Sequence, residues 1–139
     1  MKIEREVMER IVAHAERDAP IEACGFLMGL KGRITRDHPM TNAEGRADHF
    51  TFDPEEQFHA YKTAMQEGLD IIGAYHSHPA GPAWPSEEDI KLAYDSSILY
   101  VIVSLAGGER IVRGFSIRSG KVEEEPLTIE PTGKAEVES

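Results

Sequence analysis

A short apolar stretch, Ile71-Ile72-Gly73-Ala74-Tyr75, runs straight into His76-Ser77-His78-Pro79, and this junction most limits the folds open to the chain. Residues 70 to 75 predict a buried strand, and a strand needs partners in a sheet. Pro79, Gly81, Pro82 and Pro85 predict an irregular loop from 76 to 85 at the strand's end. Around this junction helical and strand-like patterns interleave. Ile3, Val7, Met8, Ile11, Val12 and Ala15 recur at helical spacing, which predicts an amphipathic helix over 3–17, stopped by Asp18-Ala19-Pro20. Ala23 to Leu30 reads as a strand, Lys31-Gly32 as a turn, and Arg33 to Asp37 as a second strand. Residues 38 to 48 read as loop and His49 to Phe52 as a short strand. Asp53 as N-cap and Pro54 at the first helical position then open a helix to Glu67, closed by Gly68.

Beyond the junction, Ser86 to Asp95 reads as helix and Leu99 to Leu105 as a strongly apolar strand. Gly107-Gly108 turns into Arg110 to Ile117, and Ser119-Gly120 turns into a last strand, Val122 to Ile129. From Glu130 the sequence is polar and without periodicity. One domain over 1–129 with a disordered tail over 130–139 is therefore expected. The irregular alternation places the fold in the mixed α/β class.

A net charge of −10 argues against nucleic acid or an anionic membrane as the main partner, since both would repel the surface. The single cysteine, Cys24, excludes an intramolecular disulfide and a cysteine-rich structural zinc site. The opening Met1-Lys2-Ile3-Glu4-Arg5-Glu6 lacks the apolar run of a signal peptide, and no stretch reaches membrane-spanning length. A cytoplasmic location is expected.

The chemistry concentrates in the fourteen residues from His76 to Asp89. In extended backbone alternate side chains point the same way, so His76 and His78 can offer two imidazoles to one point. Asp89 falls in the first turn of the next helix, which the proline-rich loop can fold back. Imidazole nitrogen and carboxylate oxygen suit zinc, and three protein ligands leave a fourth position for water, the pattern of a catalytic site. Two plainer readings compete. A lone His-x-His is common at a surface, and Ser86-Glu87-Glu88-Asp89 also fits a helix capping box. The cap and the metal would contend for one Asp89 carboxylate, and full satisfaction of both is not expected. The complete string, His-x-His, seven residues, Ser, two residues, Asp, would arise by chance in only about seven of ten thousand chains of this composition.

That string resembles the signature of the JAMM (MPN-plus) zinc metallopeptidases. Upstream, Pro20-Ile21-Glu22-Ala23-Cys24-Gly25-Phe26-Leu27-Met28-Gly29 looks like the Glu-x-Cys-Gly-x-x-x-Gly segment of the small prokaryotic members. The order of elements is similar from residue 1 to about 129, including Ile72-Gly73-Ala74-Tyr75 before the histidines and Tyr100-Val101-Ile102-Val103-Ser104 after the site. The resemblance implies a cytidine-deaminase-like JAMM/MPN fold, a mostly antiparallel central sheet flanked by helices. It implies that His76, His78 and Asp89 bind Zn2+. It also implies that Glu22 takes a proton from the attacking water and passes it to the leaving amine, and that Ser86 donates a hydrogen bond to the oxyanion or orients the water. Composition alone would not choose Glu22 over Glu16, Asp18 or Asp70. The implied activity is peptidase or isopeptidase cleavage of an amide bond at the Gly-Gly tail of a ubiquitin-like or sulfur-carrier protein.

A non-catalytic binding module of the same fold is the alternative, and the intact Glu22, Ser86 and ligand trio argue against it. A small-molecule zinc hydrolase is a third reading, but no His-x-Glu with Cys-x-x-Cys supports it. Cys24 reads as a small buried residue rather than a nucleophile. His14, His38, His49 and His59 lack ligand spacing, with His59 expected to be partly packed. Trp84 could be a wall for substrate or an anchor for its loop.

Overall fold

The computed structural model describes residues 1–45 and 51–132. Strands β1 (Lys2–Glu4), β2 (Cys24–Leu30), β3 (Arg33–Met40), β4 (Asp70–His78), β5 (Leu99–Ser104), β6 (Ile111–Arg118), β7 (Lys121–Glu125) and β8 (Thr128–Glu130) join in one sheet in the order β7-β6-β5-β4-β2-β3-β1-β8. The pairs β2–β3, β2–β4, β5–β6 and β6–β7 are antiparallel, while β1–β3, β1–β8 and β4–β5 are parallel. The mixed, mostly antiparallel sheet therefore agrees with the expected class. Helices α1 (Arg5–Asp18), α2 (Pro54–Glu67) and the short α3 (Glu87–Lys91) complete the fold. No helix among the described residues is long and apolar enough to cross a membrane.

Alternation along β2 explains the two-sided core. Leu27 joins Val7, Ile11 and Ala15 of α1, together with Tyr75, Val101 and Val103. Cys24, Phe26 and Met28 turn the other way, toward Ala60 and Ala64 of α2. Because β2 is covered on both faces it reads as an unbroken apolar run rather than an alternating one. Gly25 is required by a close approach: a Cβ there would stand 2.5 Å from Tyr75 Cε1 and 2.6 Å from the His38 carbonyl oxygen. α2 begins and ends as its sequence predicts. Asp53 Oδ1 accepts the Glu55 N–H at 3.0 Å, and Gly68 closes the helix in the left-handed region at φ 71°.

Boundaries depart from expectation where tertiary pairing or local side-chain bonding overrides pattern. Ile3 belongs to β1, not to the first helix, because residues 2 and 3 pair with Arg33 and Ile34 on one side and with Thr128 and Ile129 on the other. β3 runs three residues past Asp37, and Pro39 is tolerated there because β1 pairs only with its start, leaving an edge. The expected last strand is two: Pro126, which has no N–H to give a ladder, lies between β7 and β8, and β8 crosses to the far edge. α3 stops at Lys91 instead of Asp95, whose carboxylate accepts the Ser97 N–H at 2.9 Å and builds a turn of its own. At the C-terminal end Glu130 closes β8, and residues 133–139 of the expected tail lie outside the described residues. His49, in the strand expected at 49–52, also lies outside them, whereas Phe52 bridges Asn42.

Candidate metal centre

β4 extends through His78, so both histidines are strand residues and the loop begins only at Pro79. The strand's alternation aims both imidazoles from one face, as the spacing predicts. Both rings are buried, at 5% and 9% exposure, and their Nε2 atoms stand 3.1 Å apart. Asp89 Oδ2 lies 3.1 Å from His76 Nε2 and 3.0 Å from His78 Nε2. Burial disfavours charge on Asp89, but the bonds from His76 and His78 prevail and hold its carboxyl well below the usual carboxylate range. Burial likewise pushes His78 down, yet the Asp89 bond and the Pro82 carbonyl outweigh it, so its pKa is raised.

Cap and cluster meet on one oxygen of Asp89. Asp89 Oδ2 accepts the Ser86 N–H at 2.9 Å while Ser86 Oγ accepts the Asp89 N–H at 3.0 Å, closing the capping box. The same oxygen faces both imidazoles, because a carboxylate oxygen has more than one lone-pair direction. The cap therefore aims the carboxylate rather than diverting it.

Three further contacts pin the intervening loop to the sheet. His78 Nδ1 lies 2.8 Å from Pro82 O; a carbonyl can only accept, so Nδ1 carries a hydrogen, and Nε2 is the ring nitrogen turned to the cluster. Ser104 Oγ donates to Gly81 O at 2.6 Å. Trp84 packs edge-on against Phe115, with ring centroids 5.1 Å apart, so it anchors the loop while remaining 47% exposed. Spacing gave no sign of the Pro82 and Ser104 contacts, since both depend on how the loop folds back.

The donor set fits zinc. Two imidazole nitrogens and one carboxylate oxygen converge within 4.8 Å of one another, a His-His-Asp group consistent with zinc binding. Bonds of about 2.0–2.1 Å at tetrahedral angles need donor separations of roughly 3.3 Å, close to the edges seen here.

Glu22 precedes β2. Cys24 pairs with His76, and continuing that antiparallel register sets Glu22 opposite His78. Glu22 is buried at 5% exposure, and its charge acts on His78. It stands beside the three donors and not among them. Ser86 is exposed, and since its oxygen accepts from Asp89, its hydroxyl hydrogen stays available to donate. Beside the cluster opens a cleft of about 350 Å³, walled by Phe26, Phe52, Tyr61 and Tyr100 and reaching His76 and Asp89.

Other titratable groups fall outside the cluster. Cys24 is fully buried, and burial pushes its thiol up to about 12, which leaves it without nucleophilic character at neutral pH. His59 is exposed rather than partly packed, tilted against His38. His14, unremarkable in sequence, is buried between Tyr75 Oη at 2.7 Å and Asp18 Oδ2 at 3.0 Å, on the sheet face opposite His76.

Residues 4–116 match the Prok-JAB family model, described as prokaryotic homologs of the JAB domain. The chain is 40% identical over 131 residues to the CysO-cysteine peptidase of Mycobacterium tuberculosis, covering 91% of this chain and 89% of that protein. It is 32% identical over 98 residues to the desampylase of Pyrococcus furiosus, covering 70% of each. A solved structure described as "JAMM: A Metalloprotease-like Zinc Site in the Proteasome and Signalosome" superposes with a TM-score of 0.60 at 25% identity, over 94% of this chain and 97% of that one. With the fold, the His-His-Asp cluster and these likenesses in agreement, the chain belongs to the prokaryotic JAB family of JAMM/MPN proteins.

Proposed function

We propose that this chain is a zinc metallopeptidase, acting on an amide bond at the Gly-Gly end of a ubiquitin-like or sulfur-carrier protein. The observation that carries the reading is the convergence of His76 Nε2, His78 Nε2 and Asp89 Oδ2 at 3.0–3.1 Å beside a buried glutamate. His76, His78 and Asp89 hold the metal. Bound there, zinc supplies Lewis acidity, polarising the scissile carbonyl and letting a water lose its proton near neutrality.

The chain's own residues do the rest. Glu22 removes the water's proton and returns it to the leaving nitrogen, because an amine departs only when protonated. The two transfers run in opposite senses, so one buried carboxylate, acting first as base and then as acid, serves both. Ser86 donates its hydroxyl hydrogen where negative charge develops on the carbonyl oxygen, and its backbone N–H keeps Asp89 aimed. The apolar cleft receives the extended tail that leads to the scissile bond, its aromatic walls excluding water.

The relatives' names support this substrate class: one is a CysO-cysteine peptidase and another a desampylase. We further propose that the functional domain spans 1–129, extended to Glu130 by the end of β8, and that it acts in the cytoplasm with no role for nucleic acid or membrane. A net charge of −10 supports that partner choice.

Incubation with the host's own Gly-Gly-ended carrier proteins, each bearing a C-terminal cysteine or a lysine-linked peptide, tests the reading. Mass spectrometry should find the freed Gly-Gly carrier, and a chelator should abolish it. Release unaffected by chelator would defeat the zinc mechanism. Carrier binding that survives chelation with no product at any time would instead establish the binding-module alternative.

A further inference from the structure

The peptide unit joining Glu22 to Ala23 lies one step before the regular ladder of β2, yet both of its polar groups are held by side chains. Its N–H, on Ala23, donates to Ser77 Oγ at 2.8 Å. Its carbonyl oxygen, on Glu22, accepts from Asn42 Nδ2 at 3.1 Å. Each clamp is itself fixed. Ser77 is 1% exposed and its backbone N–H donates to Ala23 O at 2.9 Å, while Asn42 Oδ1 accepts the Glu44 N–H at 3.0 Å. Ser77 is the middle residue of His76-Ser77-His78, so strand alternation turns it to the face opposite the imidazoles. Three successive residues thereby serve both halves of the site, the outer two facing the metal position and the inner one gripping the backbone of the base.

We infer that Ser77 and Asn42 are positioning residues which fix the Glu22–Ala23 peptide and so aim the Glu22 carboxylate. This rests on Glu22 being the proton carrier. A peptide with both ends tied cannot rotate about its flanking bonds. With the tie to Ser77 removed it can tilt, and a carboxylate displaced by about 1 Å loses on the order of 100-fold in rate. Neither residue belongs to the group of metal donors, so the loss falls on turnover and not on zinc or substrate binding.

The test is a double-mutant cycle on the holoenzyme, using a ubiquitin-fold carrier with one cysteine added after its Gly-Gly end. Ser77→Ala is expected to lower kcat by about 10- to 100-fold, with KM and zinc per chain unchanged, and Ser77→Thr, which keeps the hydroxyl, to recover most of the loss. On a Glu22→Gln background Ser77→Ala should cost nothing further, because a residue acting through Glu22 has nothing left to position. Asn42→Ala, carried through the same cycle, should show the same non-additivity and decides the matter if Ser77→Ala does not fold. Full turnover in the single variants, equal losses in both backgrounds, or a loss that tracks zinc content would each overturn the inference. A Glu22→Gln enzyme as fast as the parent would be a different failure: it would remove Glu22 from the mechanism, and the inference with it.

Discussion

Replacing Glu22 with Gln is expected to lower kcat for carrier cleavage by about 10²- to 10⁴-fold, roughly 3–5 kcal/mol in the barrier, while zinc per chain stays unchanged. Gln keeps the length of the side chain and one acceptor oxygen, so packing around this buried position survives. What disappears is the ability to take a proton and give it back. Attack and departure need that transfer in sequence, and a neutral amide can do neither half. Metal content from elemental analysis and kcat from product release check the two parts separately. Retained turnover would place the proton transfer elsewhere, and lost zinc would make Glu22 a ligand rather than a base.

The second large effect is expected at the donors. His76→Ala and Asp89→Asn should each lower bound zinc from about one per chain to nearly none and take cleavage down to the uncatalysed background. Asp89→Asn is the more telling of the two. Its amide oxygen can still accept the Ser86 N–H, so the start of α3 remains capped. The negative charge that a dication needs is gone. If the carboxylate served only the helix, the Asn variant would match the parent in zinc and in rate, since exchanging one capping acceptor for another costs little.

Much of this site is legible in the chain itself. His-x-His in extended backbone leads to shared imidazole direction through simple alternation, and β4 delivers it by running through His78, past the expected strand end at Tyr75. Ser-x-x-Asp at a helix start leads to a capping box, and α3 delivers that too. The sequence did not disclose that one oxygen of Asp89 serves both cap and cluster, because that depends on the loop's path. The path in turn is set by bonds to Pro82 and Gly81 and by Trp84 on Phe115, contacts between residues far apart in sequence or irregular in conformation. The clamp of Ser77 and Asn42 was hidden for the same reason: it joins β4 and the end of β3 to a residue just ahead of β2. Boundaries moved where non-local pairing decided them. Residues 2–4 have helical neighbours but find strand partners at both sides, and the C-terminal strand breaks at Pro126 to reach the opposite edge. Glu22 was singled out by the resemblance, and its burial opposite His78 is what composition could not supply.

Zinc K-edge X-ray absorption on the purified, zinc-loaded protein measures the convergence of the three donors most directly. A four-coordinate shell of nitrogen and oxygen at about 2.0–2.1 Å, with multiple scattering from two imidazoles and loss of the signal in Asp89→Asn, is the expected spectrum. A sulfur shell at about 2.3 Å, scattering from fewer than two imidazoles, or a spectrum indifferent to Asp89→Asn would contradict it.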